Sequence, residues 1–526
     1  MNQYPATPRD ASAVILLNQD LTEVLWAKRN PNLKFLGGFH GFPGGKVDAD
    51  DTLVEVKNAE NAETSKLIAC AAREIFEEVG ILLVRNGEKL TKGQRASLHD
   101  DLISGRFLFS DILETWGLWI DAEDFVYTGF WTTPEFSPMR FKTRFYINIC
   151  PPKQTPYAAI DELQNIEFIA PQKAVELWAK SKVLIAPPVL ISLRELSENK
   201  EYLATDKHRF TQIGQDKIKY QRSKIKDQPI KNTEQSLLEK SQICDGNINY
   251  IELNSRVVCF PLRTETLPPA THTNCFIVGK QEFVVIDAAS KDKREQQKLF
   301  EFVNDFIEKG YSCKEIIVSH LHPDHFGGET VLQKHLLEKF GLKIPISAHK
   351  LTAESLNGKV KIEKFIEDNE DYKLKDETGA TFELKALHTP GHARGHLCFY
   401  DEEFGFLLSS DNVVGLGSVL IAPAEGNMTD YLNSLERMKN LPNLNFLCGS
   451  HGSAVADAKG KIEEYIYHRL ERERQSLEAI KSGAKTSEEI AKIVYQNLNE
   501  NLFPLAVKSV EAHLEKIKTG NKQIDT

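Results

Sequence analysis

With 526 residues, 41% hydrophobic and 27% charged side chains and a formal net charge of −10, the chain is too long for one ordinary domain and reads as globular protein with at least two cores. The acid excess weighs against tight nonspecific nucleic-acid binding, and no apolar run approaches a spanning helix, so no membrane association is expected. The eight cysteines are scattered without a Cys-x-x-Cys pair and Met1 to Arg9 is polar, with no basic-then-apolar leader; both point to reduced thiols in a cytoplasmic protein.

The first constellation follows Phe42-Pro43-Gly44-Gly45. Up to and within Arg73-Glu74-Ile75-Phe76-Glu77-Glu78-Val79-Gly80-Ile81, the apolar residues Ile68, Ala71, Ala72, Ile75 and Val79 recur at three- and four-residue spacing. That predicts a helix with Glu74, Glu77 and Glu78 off its apolar stripe and Gly80 at its end. Glu74 and Glu78 lie one turn apart and repel unless a cation sits between them. An oxygen-only cluster suits Mg²⁺ or Mn²⁺, although three glutamates alone fit a solvated acidic face better.

Together with the preceding Pro-Gly-Gly, this stretch resembles the Nudix hydrolases, whose box ends in Arg-Glu-apolar-x-Glu-Glu-x-Gly-apolar. All the defined positions of that ending are present. The resemblance, over roughly residues 10 to 200, implies an α/β/α sandwich with a mixed sheet and Mg²⁺ or Mn²⁺ held by Glu74, Glu77 and Glu78. It also implies that Glu77 and Glu78 are catalytic, that Arg73 orients Glu77, and that the substrate is a small-molecule diphosphate. The first half of the box departs from the pattern: Ser65 stands where a glutamate is expected and Ala59 where a glycine is. Gly45 and Asp51 restore the spacing if an insertion follows them, and Glu63 is an alternative occupant. Such an insertion resembles the subfamily that includes the peroxisomal coenzyme A diphosphatase, as do Trp131-Thr132-Thr133-Pro134 and Arg140-Phe141-Lys142-Thr143-Arg144-Phe145. A degenerate domain kept for binding is the alternative.

After Pro187-Pro188 and a helical segment from Leu190 to Leu196 the chain turns polar and basic, with Lys217, Lys219, Arg222, Lys224 and Lys226 within ten residues. We expect a first domain at 1–205 and a linker at 206–246. A solvated connector fits this composition better than a phosphate-binding strip, because Tyr220 is the one aromatic in the basic run.

Residues 320 to 325 read His-Leu-His-Pro-Asp-His, directly after the apolar run Glu315-Ile316-Ile317-Val318. Three imidazoles and a carboxylate are thus crowded where a strand ends in a loop. These are ligand types that Zn²⁺ accepts; His320 and His322 can bend around one ion while Asp324 and His325 turn toward a second. Only 15 of 526 residues are histidine, so this density argues against a plain solvated loop. Further ligand types follow in order: His392 in His388-Thr389-Pro390-Gly391-His392, Asp411 in Ser409-Ser410-Asp411, and His451 in Gly449-Ser450-His451-Gly452.

Here the sequence resembles the metallo-β-lactamase superfamily, over about residues 247 to 455. The resemblance implies an αββα sandwich with two Zn²⁺ or other divalent transition metals at the edge between its sheets. His320, His322 and His392 would hold the first metal, Asp324, His325 and His451 the second, and Asp411 would bridge them. Asp287, after Phe283-Val284-Val285-Ile286, matches a structural strand-end aspartate, while His388 and His396 have no implied ligand role. Two such ions acidify a water held between them. Asp324 is the candidate proton relay, though a ligating carboxylate is a compromised base.

Residues 456–526 turn helical. Ile462, Tyr465, Ile466, Arg469, Leu470, Leu477 and Ile480 predict one long amphipathic helix. Thr486-Ser487-Glu488-Glu489 is a capping box opening a second through Ile490, Ile493 and Val494, and Pro504 opens a third with Val507, Val510, Leu514 and Ile517, ended by Gly520. This tail resembles the winged-helix-like tail of the β-lactamase-like endoribonucleases, as do Asp411-Asn412-Val413-Val414-Gly415 and Tyr431-Leu432-Asn433-Ser434-Leu435. That resemblance implies single-stranded RNA as a partner, met by Lys508, Lys516, Lys518 and Lys522. The endoribonuclease resemblance is the nearer one and implies cleavage of an ester or phosphodiester; Gly395-His396-Leu397-Cys398-Phe399 also resembles the hydroxyacylglutathione hydrolases, which implies an acyl thioester as the alternative. The tail is equally a candidate dimerisation element. The expected whole is an α/β multidomain metallohydrolase: a Nudix sandwich, a metallo-β-lactamase sandwich and a winged-helix-like tail.

Overall fold

The computed structural model describes residues 6–33, 36–137, 139–159, 161–198, 249–496 and 498–524. The basic stretch placed at 206–246 lies outside the described residues, as does Cys244. The chain divides into two compact units, Met1–Asn249 and Tyr250–Thr526.

In the first unit the strand Arg9–Leu17 runs parallel to Phe141–Ile149 and antiparallel to Val24–Arg29 and Gly44–Lys46, within an eight-stranded mixed sheet. Its apolar run faces both ways, as a strand covered on both faces must. Val14 and Leu16 enter one core with Leu67, Ala71 and Ile75 of the helix Ala62–Val79. Ala13, Ile15 and Leu17 enter another with Trp178, Leu190 and Leu193, from the helices Pro171–Ala179 and Pro187–Glu198. Helices on both faces complete an α/β/α sandwich.

The helix Ala62–Val79 opens on Asn61, whose side chain accepts from Thr64 N, and ends at Gly80 with φ +68°. A helix end leaves four carbonyls unpaired, yet here each finds a donor. Gly80 N donates to Phe76 O at 2.9 Å, His99 Nε2 lies 3.0 Å from Glu77 O, and Ala159 N and Tyr157 N donate at 3.2 Å to Glu78 O and Val79 O. The turn that carries Glu77 and Glu78 is therefore tied down from outside the helix.

His40, in the strand Phe39–Gly41, has its ring centroid 4.3 Å from that of Trp26. Burial, reinforced by the Lys28 charge, pushes its pKa down to about 4. The imidazole stays neutral in the fold but titrates near 6.5 once unfolded. Its contribution is therefore fully present above about pH 6.5 and is lost as pH falls toward 4, by about 3 kcal/mol across that window. Urea unfolding at about pH 7 and about pH 4.5 should show the acid loss shrink in His40→Phe, which keeps the ring stack. An unchanged acid slope would reject this assignment.

In the second unit Glu282–Ile286, Ser312–Ile317, Ile346–Ala348 and Lys364–Phe365 run parallel. The ladder also continues antiparallel from Glu282–Ile286 through Asp371–Lys375, Thr381–His388 and Leu397–Asp401 to Phe406–Ser410, which pairs parallel with Phe446–Gly449. Val285, Ile316 and Ile346 pack under the helices Lys293–Glu308 and Glu329–Phe340. Leu387, Tyr400, Leu407 and Leu447 pack under Met428–Lys439 and Ala458–Lys481. These two helix-covered cores give the αββα sandwich. Asp287, the 318–325 loop, Asp411 and Ser450-His451 all follow directly on carboxyl ends of these strands, and His392 comes four residues after another.

At the C-terminus Thr486 and Glu489 form the capping box of Ser487–Val494, and Ala479, Ile490, Ala491, Val494, Ala506 and Val510 make a small core. The last helix, Phe503–Ile524, runs past Gly520 instead of ending there: a helical glycine costs only about 1 kcal/mol relative to alanine, too little to stop an otherwise apolar repeat. The long helix also exposes Leu470 and Ile480, and Ile493 is exposed in the next, so the apolar stripes are narrower than the sequence suggests. The Lys522 side chain lies outside the described residues. The seven described cysteines are unpaired and buried, and among the described residues no helix is long and apolar enough to cross a membrane.

Candidate metal centres

The second unit gathers ligand atoms into two adjoining sets, His320, His322, His392 and Asp411, and Asp324, His325 and His451, each with its atoms within 4.8 Å of one another. All seven residues singled out in the sequence are among them. His322 Nδ1 lies 3.0 Å from His320 Nε2 and 2.8 Å from His392 Nε2. Asp411 sits between the sets: its Oδ2 is 3.7 Å from His392 Nε2 and 3.5 Å from His325 Nε2, and its Oδ1 is 3.5 Å from His451 Nε2. Asp324 Oδ2 lies 3.5 Å from His451 Nε2 and Asp324 Oδ1 3.9 Å from His325 Nε2.

The hydrogen bonds around these rings decide which nitrogen each one offers. His392 Nδ1 donates to Leu420 O at 2.9 Å and His451 Nδ1 to His272 O at 2.8 Å. His325 Nδ1 donates to Asp287 Oδ2 at 2.9 Å. Ser319 Oγ gives its proton to Asp287 and so accepts from His320 Nδ1 at 3.0 Å. Each of these four rings turns Nε2 inward, as the nitrogen left to bind a metal. His322 is reversed, with Nε2 against the Glu425 carboxylate at 3.1 Å and Nδ1 turned inward. A ring whose outer N–H is anchored on a carbonyl or carboxylate is the arrangement found around metal-bound histidine.

The residues fit a pair of transition-metal ions. Converging lone pairs without donors between them are unfavourable, and His325 Nε2 and Asp411 Oδ1 are buried with no hydrogen-bond partner among the described residues. Burial, then neighbouring imidazoles, hold His320 and His392 well below the ordinary imidazole range. Burial lowers His325 and His451, but the carboxylates around them together outweigh it, Asp411 with Asp324 and Asp287 at His325 and Asp411 at His451, and both stand above the usual value. Asp411 in turn, despite its burial, is held well below the carboxylate range by His451 and His325. Without a metal a proton screens this carboxylate; a bound cation takes that place and releases the proton.

Asp287 adopts φ +57° at the end of its strand and accepts from Ser319 N, Ser319 Oγ and His325 Nδ1. It braces the loop through Ser319 and the outer nitrogen of His325, which agrees with a structural part. His396 accepts from Asp411 N at Nε2 and meets Thr389 Oγ1 at Nδ1, so both its nitrogens are occupied. His388 stacks on His349 at 4.0 Å and its Nε2 faces Arg394 O at 2.8 Å. Sequence reasoning missed Glu425, the carbonyls of Leu420 and His272, and Ser319. No motif flags a backbone carbonyl, and Glu425 lies in a loop 103 residues from the ring it holds.

In the first unit Arg73 organises the glutamates. Its Nε and Nη2 meet the fully buried Asp51 carboxylate at 2.8 and 3.0 Å, and Nη1 lies 2.9 Å from Glu74 Oε1 and 3.0 Å from Glu77 Oε2. Asp51 therefore occupies the acidic place opposite the arginine. Glu63 pairs with Lys66 instead, and Ser65 Oγ takes a hydrogen bond from Val56 N and gives one to Val54 O, clamping the inserted segment. Glu78 accepts from Gly44 N at 2.8 Å. A Cβ on Gly45 would lie 2.5 Å from the Glu74 carboxyl carbon, so the Gly-Gly pair is what lets this loop close over the helix. That closure buries Glu78, which helical periodicity placed off the apolar stripe. Burial pushes Glu74 up to about 7 and Glu78 up to about 8, and raises Glu77 as well. Such carboxyls are short of positive charge, which a hard divalent ion supplies. Among the described residues the groups whose ligand atoms lie within 4.8 Å of one another are both in the second unit; Glu74, Glu77 and Glu78 do not form one, and Glu74 and Glu77 are paired with Arg73.

The metallo-β-lactamase superfamily model matches residues 268–451. A lactamase-like protein of Emericella nidulans, aptB, is 30% identical over 245 residues, covering 44% of this chain and 70% of that protein. The chain belongs to the metallo-β-lactamase superfamily. Its first unit carries a NUDIX domain, matched over residues 7–111, and its tail a β-lactamase associated winged helix domain, matched over 486–522. Both catalytic families are hydrolases that bind divalent metals, so this superfamily member is an enzyme. It is also similar to a Caenorhabditis elegans β-lactamase-like protein 2 homolog, 30% identical over 203 residues, or 38% of this chain and 64% of that protein. An Aspergillus chevalieri protein named atrochrysone carboxyl ACP thioesterase is 27% identical over 254 residues, 47% of this chain and 74% of that one. The match to the worm protein thus spans under two thirds of that relative.

Proposed function

We propose that the chain is a fusion of two metal-dependent hydrolases, one cleaving an acyl thioester or ester at the binuclear centre of the second unit and one cleaving a small-molecule diphosphate in the Nudix unit. The observation that carries the first half is the set of five rings, each with its outer nitrogen anchored and its inner nitrogen turned in beside Asp411 and Asp324. His320, His322 and His392 would hold one Zn²⁺-type ion, Asp324, His325 and His451 the other, with Asp411 shared; bound there, the pair supplies an acidified water and an electrophilic surface for the developing oxyanion. Asp324, close to both His325 and His451, is placed to hold the proton released as that water reacts. In the Nudix unit Glu74, Glu77 and Glu78 would bind Mg²⁺ or Mn²⁺ while Arg73, pinned by Asp51, fixes Glu74 and Glu77.

Two observations favour an acyl substrate over RNA. The chain carries net charge −10, and its tail from 456 to 526 has twelve basic and twelve acidic side chains, no surplus for drawing in a phosphate backbone. A similar protein is named as an acyl-carrier thioesterase. The winged-helix match supports the RNA reading, so the test includes both. Full-length protein loaded with Zn²⁺ and Mg²⁺ is assayed against an acyl-coenzyme A, coenzyme A itself and single-stranded RNA. Thioester cleavage should vanish with a transition-metal chelator and in the His320→Ala/His322→Ala double variant, while coenzyme A cleavage vanishes in Glu77→Gln. RNA cleavage lost in the histidine variant, without thioester cleavage, would replace the acyl reading.

A further inference from the structure

We infer that the C-terminal helix Ala458–Lys481 is part of the support of the binuclear centre, with Arg469 and Tyr465 as positioning residues for its ligands; this rests on the metal reading of the second unit. Ile462, Tyr465 and Arg469 recur at three- and four-residue spacing and are all buried, so they share one face of the helix. What that face meets is the segment from Asp411 to Leu420. This segment links one ligand to the support of another: it begins at the shared carboxylate and ends at the carbonyl that takes the His392 Nδ1 proton.

The helix grips the segment along its length. The Tyr465 hydroxyl accepts from Val414 N at 3.3 Å and lies 3.2 Å from Val414 O and 3.3 Å from Gly417 O, one of which takes its proton. Arg469 donates from Nη2 to Val419 O, the residue before Leu420. Its guanidinium also lies 5.5 Å over the ring of Tyr431, whose hydroxyl donates to Asn412 O at 2.6 Å, the residue after Asp411. Arg469 therefore acts on both ends of the segment, directly at one and through Tyr431 at the other. It is 3% exposed, and its Nε has no hydrogen-bond partner among the described residues. Burying a guanidinium so incompletely paired is costly, and an aliphatic side chain would serve plain packing better. The cost is understandable where the cation fixes the carbonyl beside the one that orients His392 and packs on the tyrosine that holds the residue after Asp411.

Loss of such supporting partners typically weakens metal binding by about 10- to 100-fold. The full chain is titrated with Co²⁺ against a chromophoric chelator, and the visible spectrum of the bound ion is recorded. Arg469→Met and Tyr465→Phe should weaken Co²⁺ binding by about that factor and change the spectrum, with part of the loss recovered by Arg469→Lys, which can still donate to Val419 O. Arg474→Met, on the exposed side of the same helix, should leave both readouts unchanged. Should Arg469→Met fail to fold, Tyr465→Phe, which loses one hydroxyl, carries the test. Folded variants with wild-type affinity and spectrum would overturn the positioning role. Wild-type protein that binds no Co²⁺ would instead overturn the binuclear reading beneath it.

Discussion

Replacing Asp411 by alanine is expected to cut hydrolysis at the second-unit centre by at least about a hundredfold in kcat/KM and to lower the bound transition metal below two equivalents per chain. The expectation follows from position. Among the described residues Asp411 is the one carboxylate that reaches ring nitrogens of both sets, with His392 and His325 on Oδ2 and His451 on Oδ1. It also helps to hold His325, together with Asp324 and Asp287, and His451 above their usual pKa. Without it the two cations lose their common counter-charge and repel at short range, in a site whose buried rings cannot rehydrate. Transition-state stabilisation by paired ions is worth several kcal/mol, which converts to about 10²- to 10³-fold in rate. Elemental analysis of dialysed protein beside a thioester assay checks both parts. His388→Gln is the control: its ring stacks on His349 and faces a carbonyl, so metal content should be unchanged. A fully loaded, active Asp411→Ala protein would exclude the shared-ligand role.

The ligand array was legible because it is written in side chains: a dense His-x-His-x-Asp-His loop after an apolar strand, then His, Asp and His in order. What orients it was not, since Leu420 O and His272 O belong to the backbone and Glu425 and Arg469 sit in stretches without a motif. Helical periodicity placed the Glu74, Glu77 and Glu78 turn correctly but could not show that the Gly44–Lys46 strand closes over it and buries Glu78. In the tail the apolar repeat marked the helices, but a repeat cannot tell a stripe that meets the core from its flanks, which is why Leu470 and Ile480 came out exposed. Gly520 misled for a related reason: a local preference of about 1 kcal/mol is overridden whenever neighbouring turns are favourable.

The second large effect concerns the interrupted box. Asp51→Ala is expected to destabilise the first unit by about 3–5 kcal/mol, whereas Glu63→Ala should change it by less than about 1 kcal/mol. Both acids are candidates for the missing position, but they occupy different environments. Asp51 is fully buried and accepts two hydrogen bonds from Arg73, itself 6% exposed; removing it takes both from a buried guanidinium and leaves Nε without its carboxylate, with Glu74, Glu77, the Lys46 carbonyl and the Cys70 sulfur as the remaining partners. Glu63 is half exposed and pairs with Lys66 within one turn, an interaction that water largely replaces. Urea unfolding of the full chain, followed by a first-unit tryptophan signal such as that of Trp26, measures the two differences. The same substitution also separates folding from chemistry. With Asp51 gone, Arg73 is free to pull Glu74 and Glu77 further toward itself, so Mg²⁺-dependent diphosphate hydrolysis should fall even where the unit remains folded. If Asp51→Ala proves neutral while Glu63→Ala unfolds the unit, the insertion has been read in the wrong register and the Nudix box must be rebuilt around Glu63.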